Sequence, residues 1–254
     1  MTMTRTGVLH VHSNYSHDGR DTLEELRDAA LRRGIQFVAL TDHAEDLDAS
    51  RFEEFRRECA ALSGERVALI PGLEFRFAGY TGLHLLALGL RQWIAPASPA
   101  AFIAGAREAA QFTIVAHPVL AGYRIPPEVL DGIDAIEVWN AAYNTRYLPD
   151  PRAVRILHAL RERRPEVVGT VGLDQHDSRN DRETRVMVAT DSADVLAELK
   201  AGRFTNRGRT MRFDATVSFG PARMAALTAA RWALDVVERR QDRLVHAWRA
   251  RSKR

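Results

Sequence analysis

Apolar residues in this chain gather in short, nearly unbroken runs, each closed by polar residues and parted from the next by a stretch with helical spacing. Gly7 to Val11, Ile35 to Leu40, Val67 to Leu73, Gly82 to Leu88, Phe112 to Ala116, Ile133 to Trp139, Val167 to Leu173 and Arg185 to Ala189 are the runs. A strand covered on both faces needs apolar side chains on both sides of its pleat, so each run predicts a buried strand. Between the first two, Thr22-Leu23-Glu24-Glu25 has the form of a capping box; Leu23, Leu26, Ala30 and Leu31 then mark one helical face, and Gly34 ends it. Further helices are predicted over about 49–63, 99–110 and 151–163, the second after a proline-rich link at Pro96 and Pro99.

This alternation predicts an α/β fold with a parallel sheet, either open or closed, and near seven or eight strands favours a TIM-like barrel. No repeat, low-complexity tract or linker divides the chain, so one domain over 1–254 is expected, with a core of about 7–190 and a strand/helix extension over about 191–254. From about Pro221 the pattern is helical, with Leu227, Leu234, Val237, Leu244 and Trp248 near one face and arginines on the other. A terminal helix docked on the core, with a basic tail, is the reading adopted over a nucleic-acid or membrane-surface helix.

Composition changes this picture little. Hydrophobic content of 46% and charged content of 27% are ordinary for a globular protein. No apolar run reaches the roughly 18 residues of a membrane span, and no charged-then-apolar leader precedes the first strand, so a cytoplasmic protein without a membrane partner is expected. Cys59, the single cysteine, has no partner for a disulfide or a thiolate site and reads as a buried small hydrophobe. A net charge of +3 and a pI near 9.3 admit anionic substrates without requiring nucleic acid.

Candidate chemistry lies where the strands end. His10 and His12 stand two apart on the first run, and an extended chain sends such residues to one face. Asp18, His43, Glu74, His84, His117, Asp174 and His176 interrupt or follow later runs. A lone histidine in an apolar run is ordinarily a satisfied core residue, but most of the nine histidines lie at predicted strand ends, which independent placement would seldom produce. Imidazole and carboxylate donors suit zinc, manganese or iron better than calcium, and their number exceeds what one tetrahedral ion uses. Two or three divalent ions are therefore expected. A hydroxide bridging such ions is available near neutral pH, which makes metal-assisted hydrolysis the expected reaction.

The motifs resemble those of the PHP family, named for polymerase and histidinol phosphatase. His10-x-His12, Thr41-Asp42-His43, Pro71-Gly72-x-Glu74, the isolated His84 and His117, and Gly172-x-Asp174-x-His176 follow in the family's order, and the resemblance extends over about residues 7–190. It implies a distorted (β/α)7 barrel carrying a trinuclear site, with a C-terminal helix packed on it. One ion would take His10, His12, Glu74 and Asp174; a second Glu74, His84 and His117; a third His43, His176 and either Asp18 or His17. The implied function is a phosphoesterase cleaving a small phosphorylated metabolite, nucleotide or oligonucleotide. A carboxylic or carbamic ester hydrolase is the alternative, since some relatives share the Glu137-Val138-Trp139-Asn140 segment and a turn like Ala201-Gly202-Arg203. A non-catalytic metal-binding regulatory module is a third reading, disfavoured by the near-complete ligand set.

Four more residues are singled out. Asp42 would orient a liganding histidine or cap its turn. Glu137, charged within a strand, would touch substrate or a ligand, or sit in a barrel ion pair. Arg146, with Tyr143 and Asn144, lies on a loop expected to overhang the site, and Arg179 is expected to hold a phosphate with both guanidinium nitrogens or to be an exposed loop arginine. His158 and His246 fall in helical patterns and are assigned no function.

Overall fold

The computed structural model describes residues 4–145, 147–189 and 194–251, with side chains followed to residue 236. The chain opens with β1 (Thr4–Val11), α1 (Leu23–Arg32), β2 (Phe37–Leu40) and the two-residue β3 (Asp42–His43), then a 3-10 turn at Ala44–Asp46 and α2 (Ala49–Leu62). Next come β4 (Ala68–Ile70), β5 (Gly72–Arg76), β6 (His84–Leu88), α3 (Pro99–Ala109), β7 (Phe112–Ala116), α4 (Pro127–Leu130) and β8 (Ala135–Asn140). The remainder is α5 (Pro151–Arg161), β9 (Val168–Gly172), β10 (Arg185–Ala189), α6 (Val195–Lys200), β11 (Phe204–Arg207), β12 (Arg212–Asp214) and α7 (Pro221–Arg251).

Local sequence accounts for most of these boundaries. The Thr22 hydroxyl accepts from the Glu25 amide while the Glu25 carboxylate accepts from the Thr22 amide, a complete capping box that starts α1. Gly34, at φ +64°, releases the chain from α1 in a conformation that costs glycine little. Asp48, Ser98 and Asp150 cap α2, α3 and α5 through their side-chain oxygens. The run from Val67 to Glu74 divides at Pro71, which brings no N–H to a ladder. As a result β4 joins one sheet and β5 the other.

Strands fall into two six-stranded sheets, ordered β12-β11-β10-β1-β2-β4 and β3-β5-β6-β7-β8-β9. Main-chain bonds tie them together: Leu173 N–H donates to the Leu9 carbonyl, Gln175 N–H to His10 and His12 N–H to Gln175, extending β9 along β1. The expectation of an all-parallel sheet is corrected. β1 with β2, β2 with β4, β3 with β5, β7 with β8 and β8 with β9 are parallel, but β5-β6-β7 and β1-β10-β11-β12 run antiparallel. The β5–β6 link is too short for the crossover of a dozen or more residues that a parallel return requires, and Gly79 and Gly82 turn it at φ +81° and +73°.

Phe37, Phe52, Phe55, Phe102, Phe112 and Trp139 are fully enclosed in one continuous core, and Cys59 is buried among them, its thiol pushed up by burial. The start of α7 docks through Met224 and Leu227, and Arg155 of α5 donates to the Thr228 hydroxyl at 2.7 Å. Leu234 is half-buried and Trp232 exposed, whereas the side chains of Val237, Leu244 and Trp248 lie outside the described residues, as does that of His246. No helix among the described residues is long and apolar enough to cross a membrane. The short helix α4 was not expected, whereas α6, β11 and β12 fall within the expected strand/helix extension.

Candidate metal centre

Strand ends deliver the predicted residues to one place, and three of them do so through unusual backbone. His10 adopts φ +65°, His117 +24° and Asp174 +49°, left-handed values that side chains other than glycine seldom take. At His10 the pairing of β1 with β2 skips from Leu9↔Ala39 to Val11↔Leu40, a bulge. This corrects the simple two-residue alternation: His10 and His12 converge because a bulge turns His10 inward, not because an unbroken extended strand aims both. Backbone strain of this kind persists where surrounding structure over-determines it, and it clusters at functional sites.

Glu74 lies at the middle. Its Oε1 is 2.8 Å from His84 Nδ1, 3.2 Å from His117 Nε2 and 3.5 Å from His10 Nε2, and its Oε2 is 3.0 Å from His43 Nδ1. Asp174 Oδ1 is 3.3 Å from His12 Nε2 and 3.5 Å from His10 Nε2, and Oδ2 is 3.6 Å from His117 Nε2. Asp18 lies 3.3 Å from both His43 Nε2 and His176 Nε2. Ligand-type atoms within 4.8 Å of one another form three groups: His10, His12 and Asp174; His10, Glu74 and His117; and His12, Asp18, His43 and His176. His84 stands beside the second group through its contact with Glu74. His17 is turned away, its ring and amide both donating to Asp46, and its side chain is 61% exposed.

Supporting residues fix the imidazoles. Glu137 is buried; its Oε1 accepts from His10 Nδ1 at 2.8 Å, and its Oε2 accepts from the His117 amide at 2.8 Å and the Asn140 amide group at 2.9 Å. With Nδ1–H on Glu137, Nε2 is the His10 nitrogen that faces the centre and would meet a cation. Asp42 is also fully buried and accepts from the amides and hydroxyls of both Ser13 and Ser16, so it pins the turn that carries Asp18. Ser16 Oγ in turn accepts from the His43 amide at 2.8 Å and lies 3.5 Å from His12 Nδ1.

Charge follows from this packing. Burial opposes ionisation of Glu74, yet the imidazoles of His10, His117, His43 and His84 gathered around it hold it well below the usual carboxylate range. Asp174 is lowered likewise, against burial, by His10 and His12. Burial would lower His10, but the charges of Asp174 and Glu137 raise it well above an ordinary histidine. For His176, burial and the neighbouring His12 both act downward. A divalent cation would replace the proton that these carboxylates hold on His10.

The residues fit such a cation. His10 Nε2, His12 Nε2 and His117 Nδ1 are buried with no hydrogen-bond partner. Leaving a buried polar atom unmet costs about 1–3 kcal/mol, and the first two of these atoms are aimed at ionised carboxylates. Nitrogen and oxygen donors of this kind suit a transition-metal ion.

Beside the centre opens a cavity of about 440 Å³, lined by Asp18, Asp174 and His176 together with Arg20, Tyr143 and Arg182. Tyr143 packs its ring edge-on to His117 at 4.9 Å and is 43% exposed. Arg76 reaches the centre itself, with Nη2 3.1 Å from His43 Nε2 and 3.9 Å from Glu74. Arg179 instead grips Asp177 with Nε and Nη2 and is 75% exposed; Arg146 lies outside the described residues. Arg20, Arg76 and Arg182 were not singled out from sequence. Only Arg76 carries a usable signal, since it stands two residues after Glu74 on the same strand.

A family model for the PHP domain matches residues 9–121, a span that takes in the ligand-type residues from His10 to His117 and ends before Glu137, Asp174 and His176. The Bacillus subtilis DNA polymerase/3'-5' exonuclease PolX is 37% identical over 76 residues, 27% of this chain and 13% of that relative. Among solved structures, PsfC from Pseudomonas syringae is similar with a TM-score of 0.57 at 17% identity, over 92% of this chain and all of PsfC. A Bifidobacterium adolescentis protein, whose name proposes a metal-dependent phosphoesterase, aligns with a TM-score of 0.50 at 17% identity, over 67% of this chain and 87% of its own. At such identity these likenesses speak for the fold. The ordered motifs gathered at one centre agree with the match of residues 9–121 to the PHP-domain model.

Proposed function

We propose that this protein is a metal-dependent phosphoester hydrolase whose centre holds two or three divalent ions. The observation that carries the reading is the convergence of six histidines with Asp18, Glu74 and Asp174 around buried, unpartnered imidazole nitrogens. His10, His12 and Asp174 would hold one ion, Glu74, His84 and His117 a second with His10 adjacent, and Asp18, His43 and His176 a third; His17 points elsewhere. Zinc, manganese or iron bound in this set would make water nucleophilic near neutral pH and polarise a phosphoryl oxygen. The two sheets, joined along β1 and β9, support reading the core as a distorted TIM-like barrel, with the site at its strand ends.

The chain's own groups then supply position. Glu137 keeps His10 in the tautomer that presents Nε2, and Asp42 holds the turn bearing Asp18. Arg20 and Arg182 place guanidinium charge in the cavity wall, and Arg76 adds another beside His43 and Glu74; planar forks of this kind match phosphate oxygens. Tyr143 closes one wall with an aromatic ring that a base or sugar would meet. These guanidinium groups favour an anionic phosphoester over a neutral aryl carbamate. The names of the Bacillus and Bifidobacterium relatives, an exonuclease and a metal-dependent phosphoesterase, agree with that preference.

A substrate panel tests this. The purified protein, supplied with manganese or zinc, is expected to turn over bis-p-nitrophenyl phosphate or p-nitrophenyl phosphate and to leave aryl carbamates intact. Turnover of carbamates alone would overturn the phosphoesterase reading.

A further inference from the structure

Three arginines on consecutive strands meet in register. Arg185 of β10 pairs with Arg207 of β11, and Arg207 pairs with Arg212 of β12. Their strand neighbours Val186, Asn206 and Phe213 are buried, so the arginines rise from the opposite, solvent-facing side. Like charges directly opposite one another on a sheet destabilise it. Arg185 is offset by Asp181, but among the described residues neither Arg207 nor Arg212 has a carboxylate within ion-pair distance. Arg33 and Arg209 flank the row, and with Arg185 and Arg207 they line a groove of about 450 Å³ in which Glu183, 3.8 Å from Arg209, is the one carboxylate among the described lining residues.

This groove adjoins the metal-centre cavity. Residues 177–184 form the wall between them: Asp177, Asn180 and Arg182 line the cavity, and Glu183, the next residue, lines the groove. Arg182 and Glu183 are consecutive, so one chain segment contributes to both linings. Arg33 holds that wall from the groove side, donating to the Ser178 carbonyl and pairing with Asp181. The exposed Tyr147 is tied to the β11–β12 turn, where the Thr210 hydroxyl donates to its carbonyl.

We infer that the arginine row is a binding track for the phosphate backbone of a single-stranded oligonucleotide whose scissile end lies in the metal-centre cavity. Adjacent strands are about 4.8 Å apart, so the row extends about 10 Å, longer than one phosphate group and suited to successive phosphates. Sequence-tolerant single-strand binders combine a positive groove with exposed aromatic rings, and the exposed Tyr143 lines the cavity in which the scissile end would lie. The inference rests on the phosphoesterase reading and narrows its substrate to a chain longer than a mononucleotide.

Binding measured without turnover separates the two claims. Fluorescence anisotropy of an end-labelled single-stranded oligonucleotide, in EDTA across a salt series, is the readout. Replacing both Arg207→Ala and Arg212→Ala is expected to weaken binding about tenfold. It should also flatten the slope of log K against log salt by about 1.4, the counterion release from two lost phosphate contacts on a single strand. Turnover of bis-p-nitrophenyl phosphate by the same variant should match wild type. Unchanged affinity and slope, or wild-type binding to phosphatidylglycerol vesicles in place of the oligonucleotide, would overturn the track. Absent turnover by the metal-loaded wild type would instead overturn the enzymatic reading.

Discussion

Glu137 illustrates how much a single buried carboxylate decides. It is buried, and its bonds to His10 Nδ1, the His117 amide and Asn140 set the tautomer and tilt of the centre's imidazoles. Replacing Glu137→Gln keeps the shape and removes the charge that favours Nδ1–H. Comparable outer partners of metal-bound histidines contribute about 10–100-fold in affinity, and a loss in that range is expected here. Calorimetric titration with zinc reads it, with circular dichroism as a check on the fold; wild-type affinity would contradict this role. The identities of the ligand-type residues were legible in the sequence because their types and order are distinctive. The roles of Asp42 and Glu137 were not, since a carboxylate that orients a neighbour and one that meets substrate look alike before the partners are placed. Arg179 shows the same limit: it follows the last motif, but Asp177 two residues earlier captures it.

At the scale of strands, close approach explains a glycine that a motif alone presents as a letter. Gly172 ends β9 opposite Asn140, and a Cβ there would stand 1.9 Å from Glu137 Oε1. Gly172→Ala would therefore displace Glu137 while leaving every proposed ligand in the chain. We expect kcat to fall at least tenfold, with metal affinity falling as in the Glu137 variant; activity equal to wild type would show that Glu137 has room to move. The elements themselves were largely readable, because capping residues and apolar runs are local signals. Phe112–Ala116 and Arg185–Ala189 match their strands end to end. The bulge at His10 and the division at Pro71 were harder, since pairing partners determine both and no short-range pattern encodes register.

For the molecule as a whole, alternation of strands and helices announced an α/β fold and overstated its parallel character. The antiparallel β5–β6–β7 segment and the β10–β12 extension place residues that strand counting treats as equivalent in quite different settings. Arg207 and Arg212 are unremarkable in the linear sequence and become a charged row only through pairing. The same assembly brings residues from Asp18 to His176 around Glu74, so the centre's stability is coupled to the fold's: a ligand that binds only the folded state stabilises it by mass action. A cation held by side chains from β1, β3, β5, β6, β7 and the segment after β9 should therefore raise the melting temperature. Asp174→Ala should remove most of that rise, and contradiction would be a variant that gains as much from metal as wild type.

Metal stoichiometry joined to turnover tests the central claim most directly. Protein stripped with a chelator and dialysed is titrated with manganese or zinc, while bound metal and hydrolysis of bis-p-nitrophenyl phosphate are followed together. The account predicts no turnover in the stripped protein and recovery that saturates as two or three ions bind per chain. Full turnover without metal, or saturation with fewer than two ions bound, would contradict it.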